Sequence, residues 1–348
     1  MTKTPVLLLI LATAVASAAQ EELPSLPVPV TNNAVTAVHV EKQDLVYSFM
    51  GLGEQKKWDS VLNDSYALNL RYGKWTTVRS APGTGRLGAV AVTVGDEVFL
   101  LGGFVPDRTG LQAILSDVAV YDPIGLRWYR APDLPEPVRD TVAGVYRDRY
   151  IYIVGGFARS GPTNEVQLYD NQEKKWMKAT PYPGSAVFGH AGSLVGNTIL
   201  FVDGAKTSNV PKEPHFVASD DCWIGRIDRH DPKKITWSKV PPHPGTARYR
   251  IAAGGSEKDE RVYFAGGSAE IYDYSGIGID KTPAEPSPVI FAYNLRGNSW
   301  ETINTNLANP TMDHHGMVVT SGGLLIVGGM GKGQQVEKSV RLLPKSSK

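Results

Sequence analysis

Val98-Phe99-Leu100-Leu101-Gly102-Gly103 reads as a short apolar strand running into two glycines. The same unit returns as Ile151-Tyr152-Ile153-Val154 before Gly155-Gly156, Val262-Tyr263-Phe264-Ala265 before Gly266-Gly267, and Leu324-Leu325-Ile326-Val327 before Gly328-Gly329. Two looser copies are Ile199-Leu200-Phe201-Val202 before Asp203-Gly204, and Tyr47-Ser48-Phe49-Met50 before Gly51-Leu52-Gly53. A period of roughly fifty residues with this content is one supersecondary unit repeated. Glycine at the strand end admits positive φ and close packing.

A second signal runs in phase with the first. Tyr121 precedes Trp128, Tyr169 precedes Trp176 and Tyr293 precedes Trp300, each by seven residues. Leu68 with Trp75 and His230 with Trp237 keep the spacing with a different first member. Turn-forming residues such as Asp122-Pro123 and Asp170-Asn171 lie between. Each pair therefore predicts a hairpin that sets an aromatic on one strand beside a tryptophan on the next, an apolar contact suited to packing sheet on sheet.

Composition narrows the class. The chain has 348 residues, a formal net charge of +1, 42% hydrophobic residues and 36 glycines. No long segment reads as an amphipathic helix, so the class is all-β. A near-neutral charge gives no reason to expect nucleic acid as a partner. Beyond the N-terminus no segment approaches the length of a membrane helix, and no membrane insertion is expected. Residues 1–18 read as an export signal, with Lys3, an apolar run from Val6 to Val15, and the small-residue site Ala16-Ser17-Ala18. A periplasmic or secreted protein is expected. Cys222 is the sole cysteine, so no internal disulfide is available, and it is expected to be packed beside Trp223.

The strand, the double glycine and the spaced tyrosine and tryptophan together resemble Kelch repeats over residues 24–343. That resemblance implies an all-β, six-bladed β-propeller with four strands to a blade. The blades fall at about 34–85, 86–138, 139–187, 188–247, 248–311 and 312–343, with a tail at 344–348. The last copy has no tryptophan strand, while residues 23–30 closely match residues 131–138, which follow Trp128. Residues 23–30 are therefore expected to supply the outer strand of the last blade and close the ring.

The glycines also serve as a ruler. Arg86, Arg139 and Arg250 lie sixteen residues before Gly102, Gly155 and Gly266, and His190 and His315 lie thirteen before Asp203 and Gly328. Arg248, Tyr249, Asp140, Asp313 and His314 sit beside them. On the family's geometry these residues converge on one funnel. Three arginines there would favour a carboxylate or other anion, and the histidines could brace inter-blade turns or shuttle protons. Long insertions, Lys206 to Cys222 and Ser275 to Pro288, are expected to shape the rim as ordered lids. Asp220-Asp221 with His215 reads as a solvated acidic loop, so no metal is expected, nor any other cofactor.

Two functional classes follow. An exported propeller of this kind could bind a glycan, an anionic small molecule or a protein segment at its funnel, as a monomer. The chain also resembles the N-acetylneuraminate mutarotase (epimerase) family, which implies interconversion of sialic acid anomers. That family has an Asn-Gly-Glu step in the fourth blade and an arginine six residues after the glutamate. Here Asp203-Gly204-Ala205 and Pro211 stand at those places, so its catalysis is carried to no residue. A copper oxidase of the galactose-oxidase kind, also Kelch-based, is disfavoured. Cys222 lies in the blade-four insertion, a seventh blade is lacking, and no tyrosine precedes His314-His315.

Overall fold

A computed structural model describes residues 22–346, so the export signal read at residues 1–18 lies outside the described residues. The described residues contain six four-stranded antiparallel sheets. Blade two shows the plan: Val90–Val94, Glu97–Leu101, Val118–Asp122 and Arg127–Ala131, from the axis outward. The innermost strands are Ala34–Val40, Val90–Val94, Val142–Tyr146, Ala191–Val195, Ala252–Ser256 and Val318–Val319. They pack side by side in that order, and the last touches the first, so the blades form a closed ring.

Closure joins the two ends of the chain. Glu22–Leu23 pairs with Val340–Leu343 in the register Glu22↔Arg341 and Leu23↔Val340. Trp75 Nε1 donates to Pro24 O at 2.7 Å, as Trp176 Nε1 donates to Pro132 O at 2.8 Å. Trp128, Trp237 and Trp300 make the same bond to Arg79, Thr180 and Pro241. Each indole thus ties its blade to the segment that leaves the blade before it.

The predicted hairpins form with Tyr121↔Trp128, Tyr169↔Trp176, Tyr293↔Trp300 and Leu68↔Trp75 in register. The three Tyr–Trp ring pairs stand 4.7 to 5.1 Å apart. The fourth blade differs. Trp237 faces Gly225, and His230 lies in the exposed loop that follows Cys222–Ile227. That loop is longer than its counterparts and shifts the pairing. Gly225 leaves room for the indole, since a Cβ there would come within 2.5 Å of it.

At the glycine steps the backbone is left-handed and crowded. Gly102 and Gly103 have φ of 61° and 92°, and a Cβ on Gly102 would stand 2.3 Å from Val138 O, on the segment leading into the next blade. The two loose copies fold alike, with Met50-Gly51 and Asp203-Gly204 also at positive φ. Apolar residues fill the seams between blades, as where Phe99, Leu101 and Val120 meet Ile151, Ile153 and Tyr169. Each such fully buried side chain contributes about 1.5–3 kcal/mol.

The segments after the glycine steps all emerge on one face, called the top here. In blade four this insertion is a hairpin, Ala205–Thr207 with Phe216–Ala218. The blade-five insertion crosses the top: Tyr272 packs with Phe188 and Met330, and Tyr274 reaches the cluster of Leu52, Leu87 and Phe104. Both insertions fold over the axis and cap it with Phe216, Tyr272 and Tyr274. Among the described residues no helix is long and apolar enough to cross a membrane.

Candidate functional site at the propeller axis

One residue from each blade meets the axis just before the inner strand begins. These six, Asn32, Gly88, Asp140, Gly189, Arg250 and Asp313, all have positive φ, between 51° and 68°. Their backbones join hand to hand. The amides of Asp140, Gly189 and Arg250 donate to the carbonyls of Gly88, Asp140 and Gly189 at 2.8 to 2.9 Å, and Asn32 N donates to Asp313 O at 3.0 Å. The Gly88 amide donates to Asn32 Oδ1, and His314 N donates to Arg250 O at 3.3 Å, completing the circuit.

Across this circuit lies a buried ionic cluster. Arg250 Nε and Nη2 donate to the two oxygens of Asp140 at 3.0 and 3.2 Å, and Nη1 donates to Asp313 Oδ1 at 2.8 Å. Asp313 also accepts from Thr31 Oγ1 at 2.8 Å and Asn32 Nδ2 at 2.7 Å. Arg139 Nη1 donates to Asp140 as well, and His315 Nε2 lies 3.3 Å from Asp140 Oδ1. Burial pushes the Asp140 carboxyl up, but Arg250, Arg139 and His315 override it and hold it well below the usual carboxylate range. Burial likewise lowers Arg250, and the carboxylates of Asp140 and Asp313 more than reverse this. The charges of the two arginines and the two aspartates balance.

This arrangement revises the expected funnel of free arginines. Arg250 is saturated by two carboxylates, and Arg139 combines Asp140 with the rings of Phe104, Phe157 and Phe188, 4.3 to 5.7 Å from its Cζ. Arg86 does not reach the axis. Its guanidinium is gripped by Asp117 within its own blade, at 2.9 and 2.7 Å. Arg248 is buried away from the axis against Phe291, and burial lowers it despite the charge of Asp203. The sixteen-residue ruler fails because the inner hairpin turns differ in length: Gly95-Asp96, Arg147-Asp148-Arg149, and Glu257 to Glu260. In the folded register Gly88, Asp140 and Arg250 are equivalent, and Arg86 matches Arg248.

Below the circuit, a channel of about 400 Å³ runs along the inner strands, with His190, His314, His315 and Thr141 at its closed end. His190 Nε2 donates to Val154 O at 3.0 Å and its Nδ1 has no partner. Burial lowers its pKa from 6.5 to about 4. His314 contacts Thr311 Oγ1 through Nε2 at 3.1 Å. Burial, with Arg341 and His315 nearby, lowers it to about 3. Both rings are neutral at pH 7. His314, not His315, is the counterpart of His190, since each directly follows its blade's axial residue.

Above the circuit is a smaller recess of about 170 Å³, walled by Phe104, Phe188, Phe216, Tyr249, Tyr272 and Tyr274 and floored by Arg139 and Arg250. Tyr249 lies over Gly189, where a Cβ would fall 1.9 Å from its ring. Tyr272 stands edge-on to Tyr249 at 5.2 Å, and its hydroxyl is buried without a partner. Asp220 and Asp221 do not gather with His215: Asp221 binds Lys239 at 2.5 Å, and His215 packs on Phe216. Sequence reasoning gave Asn32 and Gly88 no role at the axis. Their signal was composition, since asparagine and glycine tolerate left-handed backbone.

Residues 9–204 match the family model of the KLHDC2/KLHL20/DRC7 Kelch-repeats domain. Kelch-like protein 15 of Gallus gallus is 34% identical over 120 residues, which is 34% of this chain and 24% of that protein. Kelch-like protein terF of Aspergillus terreus is 25% identical over 240 residues, 66% of this chain and 48% of that protein. Kelch domain-containing protein 3 of Bos taurus is 25% identical over 212 residues, 57% and 52% of the respective chains. The chain thus spans about a quarter to a half of the length of these curated relatives. The solved structure of YjhT is similar in fold, with a TM-score of 0.72 at 18% identity, covering 92% of this chain and 97% of that one.

Proposed function

The chain belongs to the Kelch-repeat family, and on that premise we propose that it is a binding propeller that takes a protein segment on its top face. The supporting observation is that four of the exposed large apolar side chains stand on this face, the others (Tyr72, Ile124, Leu126 and Tyr129) lying on the outer hairpins of blades one and two. Trp58, Leu111, Val210 and Ile279 are exposed, and they lie on the top connections of blades one, two, four and five. Ile279 itself lines the aromatic recess and Leu111 adjoins Gln112 on its wall, and the recess volume of about 170 Å³ suits a single side chain. An apolar anchor entering an aromatic pocket is how protein interfaces concentrate their binding energy.

Charge argues in the same direction. An anionic sugar in the recess, the other ligand class raised by the sequence, would need a guanidinium free of carboxylate on its floor, and Arg250 and Arg139 there already hold Asp140 and Asp313. The sugar-epimerase alternative would need a proton donor and acceptor facing its substrate, whereas Asp140 and Asp313 are locked to arginine. The proposal places this binding outside the cytoplasm, on the sequence of residues 1–18, and treats the propeller as a monomer that binds no nucleic acid.

The test begins with panning a random peptide library over the purified protein. Enriched peptides should share an apolar residue and lose about tenfold or more in affinity, about 1.4 kcal/mol, against Leu111→Asp or Ile279→Asp. Peptides that bind both variants as well as the wild type would overturn the top-face assignment. Anomerically pure N-acetylneuraminate followed by proton NMR gives the parallel check. Accelerated mutarotation at micromolar protein would transfer the reading to the epimerase alternative.

A further inference from the structure

Two copies of one motif, Pro82-Gly83-Thr84-Gly85-Arg86 and Pro244-Gly245-Thr246-Ala247-Arg248, lead into blades two and five. Their equivalence is fixed by hydrogen bonds. The Gly102 amide donates to Asp117 O at 3.4 Å, and the Gly266 amide donates to Val289 O at 3.3 Å. A Cβ on Gly83 would lie 3.8 Å from Arg86 Nη2, and one on Gly245 would lie 3.5 Å from Arg248 Nη2. The two guanidinium groups therefore sit beneath the same loop, in the same pose.

Their partners differ. Asp117 meets Arg86 with both oxygens, and Gly102 O accepts a third bond at 3.2 Å. In blade five the place of Asp117 is taken by Val289, which brings no carboxylate. Arg248 is only 4% exposed, and its Nη1 is buried with no hydrogen-bond partner. Asp203, the acid whose charge reaches it, forms no ion pair with the guanidinium, and its Oδ1 is likewise buried without a partner. Asp203 Oδ2 accepts from His243 Nε2 at 2.7 Å and from the Arg248 backbone amide at 2.9 Å. The guanidinium itself rests on the Phe291 ring, 5.2 Å from its centre.

An arginine cannot shed its proton to relieve this, so burial without an acceptor is costly. Only the exposed loop Pro244-Gly245-Thr246 separates Arg248 from solvent. In blade two the same position opens on a cavity of about 420 Å³ lined by Gly83, Arg86, Asp117 and Tyr129. We propose that Arg248 receives a carboxylate from outside the fold, beside Val289 and past the Pro244-Gly245-Thr246 loop, much as Arg86 receives Asp117 in blade two. This site is separate from the top-face recess and does not rest on the reading of that recess. A free organic acid and the acidic side chain of a partner present the same bidentate chemistry to it.

The test uses the purified protein with sodium acetate, or with a terminally blocked peptide bearing one glutamate, at constant ionic strength. Thermal unfolding is read alongside the Arg248 Nε–H NMR signal. Acetate should give a saturable rise in Tm and move that signal, and Arg248→Met should abolish the Tm response. Val289→Asp should raise Tm without any added acid and remove the response to acetate. A response to acetate alone identifies a free acid as the ligand, and a stronger response to the peptide identifies a partner's side chain. Equal Tm shifts in the wild type and Arg248→Met, or no response to either probe, would overturn the proposal, whatever the folding of Val289→Asp.

Discussion

Arg250 of the fifth blade and Asp140 of the third join across the axis by two hydrogen bonds, with Gly189 of the blade between them lacking a side chain. The pair bridges two blades that share no sheet. Its worth to the fold lies in what its loss would strand.

Arg250→Met leaves Asp313 buried with only Thr31 and Asn32 as side-chain partners, and it takes from Asp140 its two-pronged partner. Removing one member of a buried pair costs about 3–5 kcal/mol. Urea unfolding should show that loss, and Asp140→Asn combined with Arg250→Met should cost less than the sum of the single changes. A loss below about 1 kcal/mol would show the cluster to be dispensable.

Acid should weaken the fold in a definite window. In the unfolded chain His190 and His314 take up protons near pH 6.5, whereas folded they stay neutral down to about 4 and about 3. Between those limits the unfolded state binds more protons, so stability falls as pH drops from 6.5 towards 4. His190 alone contributes on the order of 3 kcal/mol to this fall. Asp140, whose pKa is depressed, adds its own loss only below about 3.8. Thermal unfolding from pH 7 to 4.5 should show the decline and His190→Gln should flatten it; parallel curves for the two proteins would rule out His190 as its source.

Gly189→Ala should be far more costly than Gly73→Ala. Both glycines have a φ near 60°, but a Cβ at 189 would enter the Tyr249 ring while one at 73 would meet nothing within 4 Å. Left-handed strain alone costs about 1–2 kcal/mol, and overpacking adds about 1–3. Equal Tm losses in the two variants would mean that Tyr249 can vacate its place.

Cys222 should be inert in the folded protein. It is fully buried, and burial, with Asp203 nearby, pushes its thiol up to about 12. A chromogenic disulfide reagent should label it only after unfolding. Stoichiometric labelling of native protein within minutes would show that the seam between blades four and five opens readily.

Much of the scaffold was legible in the sequence because its signals are local. The double glycines mark positions where backbone approaches backbone, and Tyr121 with Trp128 sit face to face because a short turn holds the pairing. Even the ring closure was readable, since Pro24 and Pro132 accept the same indole bond, although the closing strand is Glu22–Leu23 and of residues 23–30 only Leu23 lies in it. The axis was not. Its residues are aligned through space by the inner strands, and turns of different length between those strands spoil any count made along the chain. Arg86 and Arg250 share a distance from their glycines but not a place in the fold. Trp237 shows the same limit: seven residues back stands His230, yet the strand opposite offers Gly225.

The closing strand also orders the life of the chain. Glu22–Leu23 is made long before its partner Val340–Leu343. Until synthesis reaches that far, every nascent chain carries an open seam between its first and last finished blades, with apolar side chains such as Leu26 and Leu68 lacking part of their shared packing. Truncated products keep that seam for good and offer it to proteases and aggregation. The ring therefore latches only when both Glu22–Leu23 and Val340–Leu343 are present.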